Sequence, residues 1–234
     1  MKSKLFKRTL ILLSLGLIIF GLIAYLFPPV RRALLNTGAM TWTVEYYNKY
    51  RPKYIALKND EDCFNDLTKR GIEFKKLKSS KNANGCHLSG HLKIERLGKF
   101  DLSSPVMMTC QMTLQLHKFL TERVDPAGQA YFQENIRFIK HIGTYNCRSD
   151  RGMKSLLSEH AFANAIDILG FTTENGKAIV IEKDWTAKNQ KAKFLHQIGS
   201  SACNYFSIAL GPNYDRLHHN HFHFDMAPFN YCGH

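Results

Sequence analysis

Histidines are concentrated in one short segment near the carboxyl end of the chain. Four of the 11 histidines lie within six residues, namely His218, His219, His221 and His223. The pattern of Phe222–Met226 predicts a strand, so His221 and His223 should face the same side, because side chains alternate along a strand. Two adjacent imidazoles repel each other once both are protonated, and a metal ion would compensate for that cost. This segment therefore predicts a metal site.

A second cluster, Ser158–Asp167, combines a histidine with an acidic residue. His160 is predicted to lie in a loop just before a strand, and Asp167 lies on that strand between Ile166 and Ile168. A carboxylate buried on an apolar strand needs an ionic partner or a metal ion.

The two clusters together offer two histidines and one aspartate as metal ligands. Three protein ligands leave the fourth tetrahedral position of zinc open for water, which is typical of catalytic sites, whereas structural zinc usually has four protein ligands. Each cluster alone also has an ordinary explanation, because H-x-H occurs on many strands without a metal and a buried aspartate is usually bonded to backbone N–H groups. Their combination favours a catalytic zinc site.

The amino-terminal region is predicted to anchor the chain in a membrane. The segment Thr9–Phe27 has 19 residues and no charge, and a helix of that length rises ~28 Å, close to the bilayer core of ~30 Å. A cleaved signal peptide is the alternative, but the bulky sequence Tyr25–Pro29 suits a cleavage site poorly. Basic residues before the span outnumber Arg31 and Arg32 after it and predict a cytoplasmic N-terminus. These basic residues are Lys2, Lys4, Lys7 and Arg8.

We therefore expect four regions in the chain: a cytoplasmic tail (1–8), a transmembrane anchor (9–27), a stalk (28–58) and an external domain (59–234). The protein would be a single-pass protein of the cytoplasmic (inner) membrane. Its main domain would lie in the periplasm or otherwise outside the cytoplasm.

The cysteines agree with an external location. The chain has six cysteines and no C-x-x-C pair, which disfavours a zinc ribbon or a thioredoxin-type motif. An even number outside the cytoplasm predicts three disulfides, although one or two of the cysteines could be buried thiols. Sequential pairing closes modest local loops and is our prediction: Cys63–Cys86, Cys110–Cys147 and Cys203–Cys232.

The order of predicted elements indicates an α+β fold with a mainly antiparallel sheet core and flanking helices, preceded by the transmembrane helix. The predicted helices are 61–70, capped by Asn59 or Asp60, then 104–124 and 187–209. The predicted strands are 72–77, 87–97, 135–145, 165–171, 178–185 and 222–226.

Composition and charge restrict the class of protein and of partner. With 44% hydrophobic and 22% charged residues, the chain is not disordered, collagen-like or a coiled coil as a whole. The net charge of +13 favours polyanionic partners. No aromatic-basic motif or recognition helix supports nucleic acid as that partner, and the predicted anchor argues against it.

The pattern S-x-H-x(6)-D, followed downstream by H-x(2)-H-x-H, resembles a family of zinc peptidases. That family includes D-alanyl-D-alanine carboxypeptidases, the penicillin-insensitive murein endopeptidase and the Hedgehog signalling domain. The chain is most similar to its bacterial extensin-like C-terminal branch. The similarity rests on the spaced cysteines and on residues 145–149, 158–171 and 210–226, and it extends over roughly 60–232.

The resemblance implies a Hedgehog/DD-peptidase-like fold and a Zn²⁺ ion bound by His160, Asp167 and His223. Ser158 would bond the loop before His160, or would be a simple turn residue. One position departs from the carboxypeptidases, which usually have glycine where this chain has Ala163, and alanine adopts a positive φ less readily than glycine.

The resemblance also implies catalytic roles for three further residues. His221 would act as a base or stabilise the transition state, and His218 would support it. Arg148 would hold a substrate carboxylate or the oxyanion, since its forked guanidinium matches such groups, or it would be an ordinary surface charge. Asn220 stands where some relatives have a glutamate base, so the base role falls to histidine or is absent.

These features together predict a membrane-anchored zinc peptidase that hydrolyses amide bonds in the stem peptides or crosslinks of peptidoglycan. Its partner would be peptidoglycan or another anionic wall polymer. The alternative is a non-catalytic cell-wall-binding or scaffolding module that retains the zinc site, because a fold does not determine an activity.

Overall fold

The computed structural model describes residues 38–81, 86–151 and 154–233. Chain contacts divide the protein between Lys49 and Tyr50, and the unit that begins at Tyr50 contains every element described below except the first part of helix α1. The helices are α1 (Gly38–Lys58), α2 (Glu61–Lys69), α3 (Cys110–Phe119), α4 (Asp125–Phe132), α5 (Ile181–Asp184) and α6 (Gln190–Ala202). A π-helical segment, Leu120–Val124, joins α3 to α4, and a 3-10 turn spans Glu159–Phe162.

The strands form a large mixed sheet and two small antiparallel ones. They are β1 (Glu73–Lys76), β2 (Ser80–Lys81), β3 (His87–Leu88), β4 (Leu92–Arg96), β5 (Asp101–Leu102), β6 (Val106–Met108), β7 (Ile136–Gly143), β8 (Ala165–Thr173), β9 (Ala178–Val180), β10 (Ile208–Leu210), β11 (Phe222–Asp225) and β12 (Tyr231–Gly233).

The large sheet has the order β12-β10-β11-β8-β7-β5, and β9 pairs with the second half of β8. Its central pairs are antiparallel, and only the outer pairs β12–β10 and β5–β7 of this sheet are parallel. The small sheets are β1-β4-β6 and β2-β3. The predicted α+β class with a mainly antiparallel sheet core and flanking helices is confirmed.

Aromatic residues join the large sheet to the helices that cover it. Phe119 of α3 packs edge-on against Phe224 of β11, with ring centroids 5.5 Å apart. Phe194 of α6 packs in the same way against Phe171 of β8 at 5.6 Å. Each such buried side chain contributes about 1.5–3 kcal/mol relative to exposure. One face of β8 and β11 is therefore fixed against the helices, and the other face is available for polar residues.

Several predicted elements are confirmed with bounds that differ by a few residues. The helix predicted at 61–70 is α2, and Asp60 caps it by accepting a hydrogen bond from Cys63 N at 3.0 Å. The strands predicted at 135–145, 165–171 and 222–226 are β7, β8 and β11. Asp167 and His223 therefore lie on strands, as predicted.

The helix predicted at 104–124 is wrong in its first part. Met108 lies on β6 and pairs with Leu92 of β4, and α3 begins only after Thr109. Thr109 ends the strand and caps the helix, because its hydroxyl accepts from Met112 N at 3.1 Å. The methionine spacing suggested one helical face, whereas Met108 lies on a strand and Met112 on a helix, and both are buried in the same core.

The carboxyl-terminal elements are also shorter than predicted. The predicted strand 178–185 ends at Val180, and helix α5 follows. The predicted helix 187–209 begins after its cap residue Asn189 and ends at Ala202, and β10 occupies residues 208–210.

All six cysteines form disulfides, as predicted in number. The bonds are Cys63–Cys110, Cys86–Cys147 and Cys203–Cys232. The predicted pairing is therefore confirmed for the last bond and wrong for the first two. The cause is tertiary: α2 packs beside α3, which places the Cα atoms of Cys63 and Cys110 6.2 Å apart.

The predicted tail and membrane anchor, residues 1–27, lie outside the described residues, as does the first part of the predicted stalk. Among the helices that the structure describes, none has both the length and the apolar character needed to cross a membrane. The rest of the predicted stalk is α1, and Arg51 and Ile55 of this helix are buried. The predicted region boundaries, including the domain start at residue 59, stay predictions.

A buried histidine connects the small sheets to the 3-10 turn. His91 precedes β4, and its Nε2–H donates to the Phe162 carbonyl at 2.6 Å. Burial lowers the pKa of His91 below the usual 6.5, and the hydrogen bond to Phe162 offsets this only in part. The folded protein therefore holds His91 neutral at a pH where the unfolded chain binds a proton.

We predict that His91 contributes to acid sensitivity. As the pH falls below 6.5, the unfolded chain binds a proton at His91 before the folded protein does. The free energy of unfolding therefore decreases by up to about 1.4 kcal/mol per pH unit in that range. Above pH 6.5, neutral His91 makes its full contribution to stability. In His91→Gln, the amide can still donate to Phe162, and the slope should be shallower. Denaturant unfolding of both proteins between pH 7.5 and 5 measures the difference. Parallel pH profiles would show that His91 is not involved.

Candidate metal centre

The register between β8 and β11 brings Asp167 and His223 together. These two residues are direct partners across the antiparallel pair. The neighbouring side chains of Ile166, Ile168 and Phe222 are buried in the core, so strand alternation directs Asp167 and His223 to the opposite face. His223 Nδ1 lies 2.9 Å from Asp167 Oδ1.

The 3-10 turn Glu159–Phe162 presents His160 to the same point. Ser158 caps the turn, because its hydroxyl accepts from His160 N at 3.3 Å. Ala163 ends the turn in the left-handed conformation, with φ 49° and ψ 35°. Alanine adopts a positive φ less readily than glycine, as expected for Ala163 from the sequence, and the left-handed conformation costs a non-glycine residue about 1–2 kcal/mol. The turn thus stores some strain directly beside the site.

The three predicted ligand residues form a tight triangle. His160 Nε2 lies 3.1 Å from His223 Nδ1 and 3.3 Å from Asp167 Oδ1. A tetrahedral zinc ion with bonds of about 2.0–2.1 Å would have its ligand atoms about 3.3 Å apart. The described residues therefore bring two imidazole nitrogens and one carboxylate oxygen to nearly the spacing that zinc requires. The donor set fits the ion that the resemblance implies.

The outer nitrogen of each predicted ligand histidine has a hydrogen-bond acceptor. Nδ1–H of His160 donates to the Thr144 carbonyl at 3.1 Å, and Nε2–H of His223 donates to Asp225 Oδ2 at 3.0 Å. When both rings are neutral, as metal binding requires, these acceptors fix tautomers whose lone pairs face the centre of the triangle. Metal-binding histidines almost always have such outer partners, which fix the ring and increase its basicity.

The electrostatics of the triangle favour a cation. Burial opposes ionisation of Asp167, but hydrogen bonds and positive charge from His160 and His223 outweigh it, so its pKa lies below the usual range. Burial also opposes the charge on His223, yet hydrogen bonds to Asp167 and Asp225 raise its pKa to about 10. In the absence of a metal, two carboxylates thus hold a positive charge at this point.

His221 lies beside the triangle. Its Nδ1–H donates to the side-chain oxygen Oδ1 of Asn220 at 2.9 Å. Its Nε2 lies 3.7 Å from Asp167 Oδ1. Burial lowers the pKa of His221 to about 4, although the Asp167 charge opposes the shift. Asn220 therefore orients His221.

His218 completes a row of three rings. Its centroid lies 5.1 Å from that of His221 and 5.9 Å from that of His223. Its Nδ1–H donates to Asp215 Oδ1 at 2.7 Å. His219 differs from this row, because its side chain is 57% exposed and lies near Glu182 instead.

Arg148 lies on the loop before the 3-10 turn and is half-buried. Its Nη1 donates to the Ser149 carbonyl at 3.1 Å. Burial and repulsion by Arg151 lower the pKa of Arg148, whereas the negative charges of Asp167 and Asp150 act in the opposite direction. The side chain is thus within electrostatic range of the triangle, and its role in binding substrate stays a prediction.

Sequence reasoning missed two supports of the site. Asp225 lies two residues after His223, so the H-x-D spacing on one strand could have identified it. Glu159, next to His160, forms a buried ion pair with Arg51, which is 108 residues away. No local pattern connects residues at that separation.

We predict that Asp225 tunes metal affinity. Asp225→Asn removes the negative charge behind His223, and loss of such an outer partner typically lowers metal affinity about 10- to 100-fold. Competition for zinc against a chromophoric chelator measures the change. Asp66→Asn, on the exposed surface of α2, is the matched control and should bind zinc like the wild type. Equal affinity of the two variants would contradict the prediction.

Comparison with known proteins identifies a family. The family model described as extensin-like protein C-terminus matches residues 61–233, which include the three disulfides and the triangle. Comparisons with curated proteins and with solved structures found no match. The matched span is well over half of the 234 residues. The chain therefore belongs to the extensin-like protein C-terminus family.

Proposed function

We propose that the protein is a zinc-dependent peptidase that hydrolyses amide bonds in the stem peptides or crosslinks of peptidoglycan. One observation supports this above all: His160, Asp167 and His223 are spaced 2.9–3.3 Å apart at their donor atoms. Both ligand histidines also have their outer nitrogens anchored. The proposal includes a fold related to the Hedgehog/DD-peptidase group, in keeping with the order of the sequence motifs.

His160, Asp167 and His223 would hold the zinc ion. When bound, zinc would polarise the scissile carbonyl and lower the pKa of a water molecule to about 7. The polar face of β8 and β11 is where these groups meet, and the apolar face behind it keeps the strands in register.

The neighbouring side chains would move protons and bind charge. His221 would take or relay the proton, because its Nε2 lies 3.7 Å from Asp167 Oδ1 and its outer nitrogen is held by Asn220. His218 is the second choice for this role. Arg148 would bind a substrate carboxylate or the developing oxyanion through its guanidinium.

The substrate class and the location form one proposal. A polymer beside the outer face of the cytoplasmic membrane is within reach of a domain on a short membrane anchor. Peptidoglycan is such a polymer, and it is anionic, which suits the net charge of +13. We therefore propose an inner-membrane protein with an external catalytic domain.

The first test is metal content. We predict about one zinc per chain in the full-length protein purified in detergent with its disulfides intact, and loss of that zinc in His223→Ala. His219→Ala removes an exposed histidine of the same segment and should retain the metal. Elemental analysis of the three proteins gives the answer, and circular dichroism checks that each is folded. A folded wild type without stoichiometric metal would show that the protein is not a zinc peptidase.

The second test is hydrolysis of purified muropeptides, followed by mass spectrometry. We predict cleavage by the wild type and a decrease in kcat of about 10²- to 10⁴-fold in His221→Ala, the range expected when an acid–base group is lost. Zinc should remain bound in this variant. Stoichiometric zinc without any cleavage by the wild type would instead favour the cell-wall-binding module.

A further inference from the structure

A buried ion pair lies directly behind the 3-10 turn. Arg51 of α1 donates from Nε and Nη2 to the two carboxylate oxygens of Glu159, both at 2.9 Å. The two side chains are only 6% and 4% exposed. This two-bond geometry is the strongest form of an arginine–carboxylate contact and fixes the direction of both groups.

The ion pair is part of a larger polar network. Arg51 also donates to the Met226 carbonyl, and Asn164 Nδ2 donates both to Glu159 and to Met226 O. Thr109 Oγ1 donates to Asn164 Oδ1 at 2.8 Å. The backbone of Asn164 donates to Glu159 O at 3.0 Å. One arginine therefore contacts both the beginning of the 3-10 turn and the segment just after β11.

Both contacted residues adjoin the candidate metal centre. Glu159 immediately precedes His160, and Met226 immediately follows Asp225, which accepts from His223. Ser158 and His91 also contact the turn, and Arg51 adds a link between the turn and the segment after β11. A charged pair buried at this point has a high desolvation cost, so its contribution to stability alone does not explain its position.

We infer that Arg51 is a positioning residue for the candidate metal centre, holding His160 in place through Glu159 and the end of β11 through Met226. The inference rests on the proposed function to the extent that it concerns the same site. Helix α1 precedes the family-matched span. According to this inference, α1 nevertheless supports the site directly.

Zinc affinity of the full-length protein tests the inference. Arg51→Met should lower the affinity about tenfold or more, as loss of an outer support does in other metal sites. Lys53→Met changes the same charge on an exposed position of the same helix, and it should bind zinc like the wild type.

A double variant separates positioning from stability. Arg51→Met leaves the Glu159 carboxylate buried without this partner, which should lower the Tm. Arg51→Met combined with Glu159→Gln removes both charges, and the glutamine oxygen can still accept from Asn164. The double variant should therefore recover much of the Tm but not the zinc affinity. Wild-type affinity in a folded double variant would overturn the inference.

A metal-free measurement keeps the inference independent of zinc binding. Hydrogen exchange of the amides of Ala161, Ala163 and Asn164, which donate within the turn, should be faster in the double variant. Leu195→Ala, in the buried face of α6, is the control for general destabilisation and should not single out these amides. Unchanged exchange in the double variant would overturn the inference. Absence of zinc from the wild type would contradict the proposed function, and this exchange result would then decide the inference alone.

Discussion

The antiparallel register of β8 and β11 is the constraint on which the site depends. It sets Asp167 opposite His223 and, on the other face, packs Phe224 against α3. Because strand side chains alternate with a period of two, a slip of one residue would expose the phenylalanines and bury the polar pair. The same hydrophobic packing that stabilises the sheet therefore also fixes the spacing of the candidate ligand atoms on Asp167 and His223. Precision at the site is a consequence of packing on the opposite face.

Burial of charge on the polar face of β8 and β11 has a desolvation cost, which hydrogen bonds to neighbouring residues offset. Asp167 and His223 are partly buried charges, and each is stable there only because hydrogen-bonded partners of opposite charge lie within 3 Å. Asp225 has its own support, since its other oxygen accepts from Ala227 N at 2.9 Å. His223 is thus fixed by a hydrogen bond to Asp225, and Asp225 is itself fixed by the backbone of Ala227. Such layers make the geometry rigid before any ligand binds.

Local patterns predicted those parts of the structure that depend on local physics. The alternation around His223 and Asp167 identified the strands, and the motif spacing identified His160. The start of α3 was missed because hydrophobic spacing alone does not distinguish buried Met108 on a strand from Met112 on a helix. Two disulfides and the Arg51–Glu159 pair were missed or mispaired because they depend on how distant elements pack, and no sequence periodicity records that packing. Asp225 had a local signal, which was visible once His223 was placed on its strand.

The position of Arg51 also determines what a proteolytic cut near α1 would remove from the site. The family-matched span begins at residue 61, and Arg51 lies on the helix before it. A protease that cleaved between α1 and α2 would release a fragment that keeps all three disulfides and the three candidate ligand residues, but that leaves Glu159 buried without its arginine. Cleavage before Arg51 would release a slightly longer fragment that keeps the ion pair. Two cuts separated by only a few residues of one helix would therefore differ in whether the fragment retains the Arg51–Glu159 ion pair.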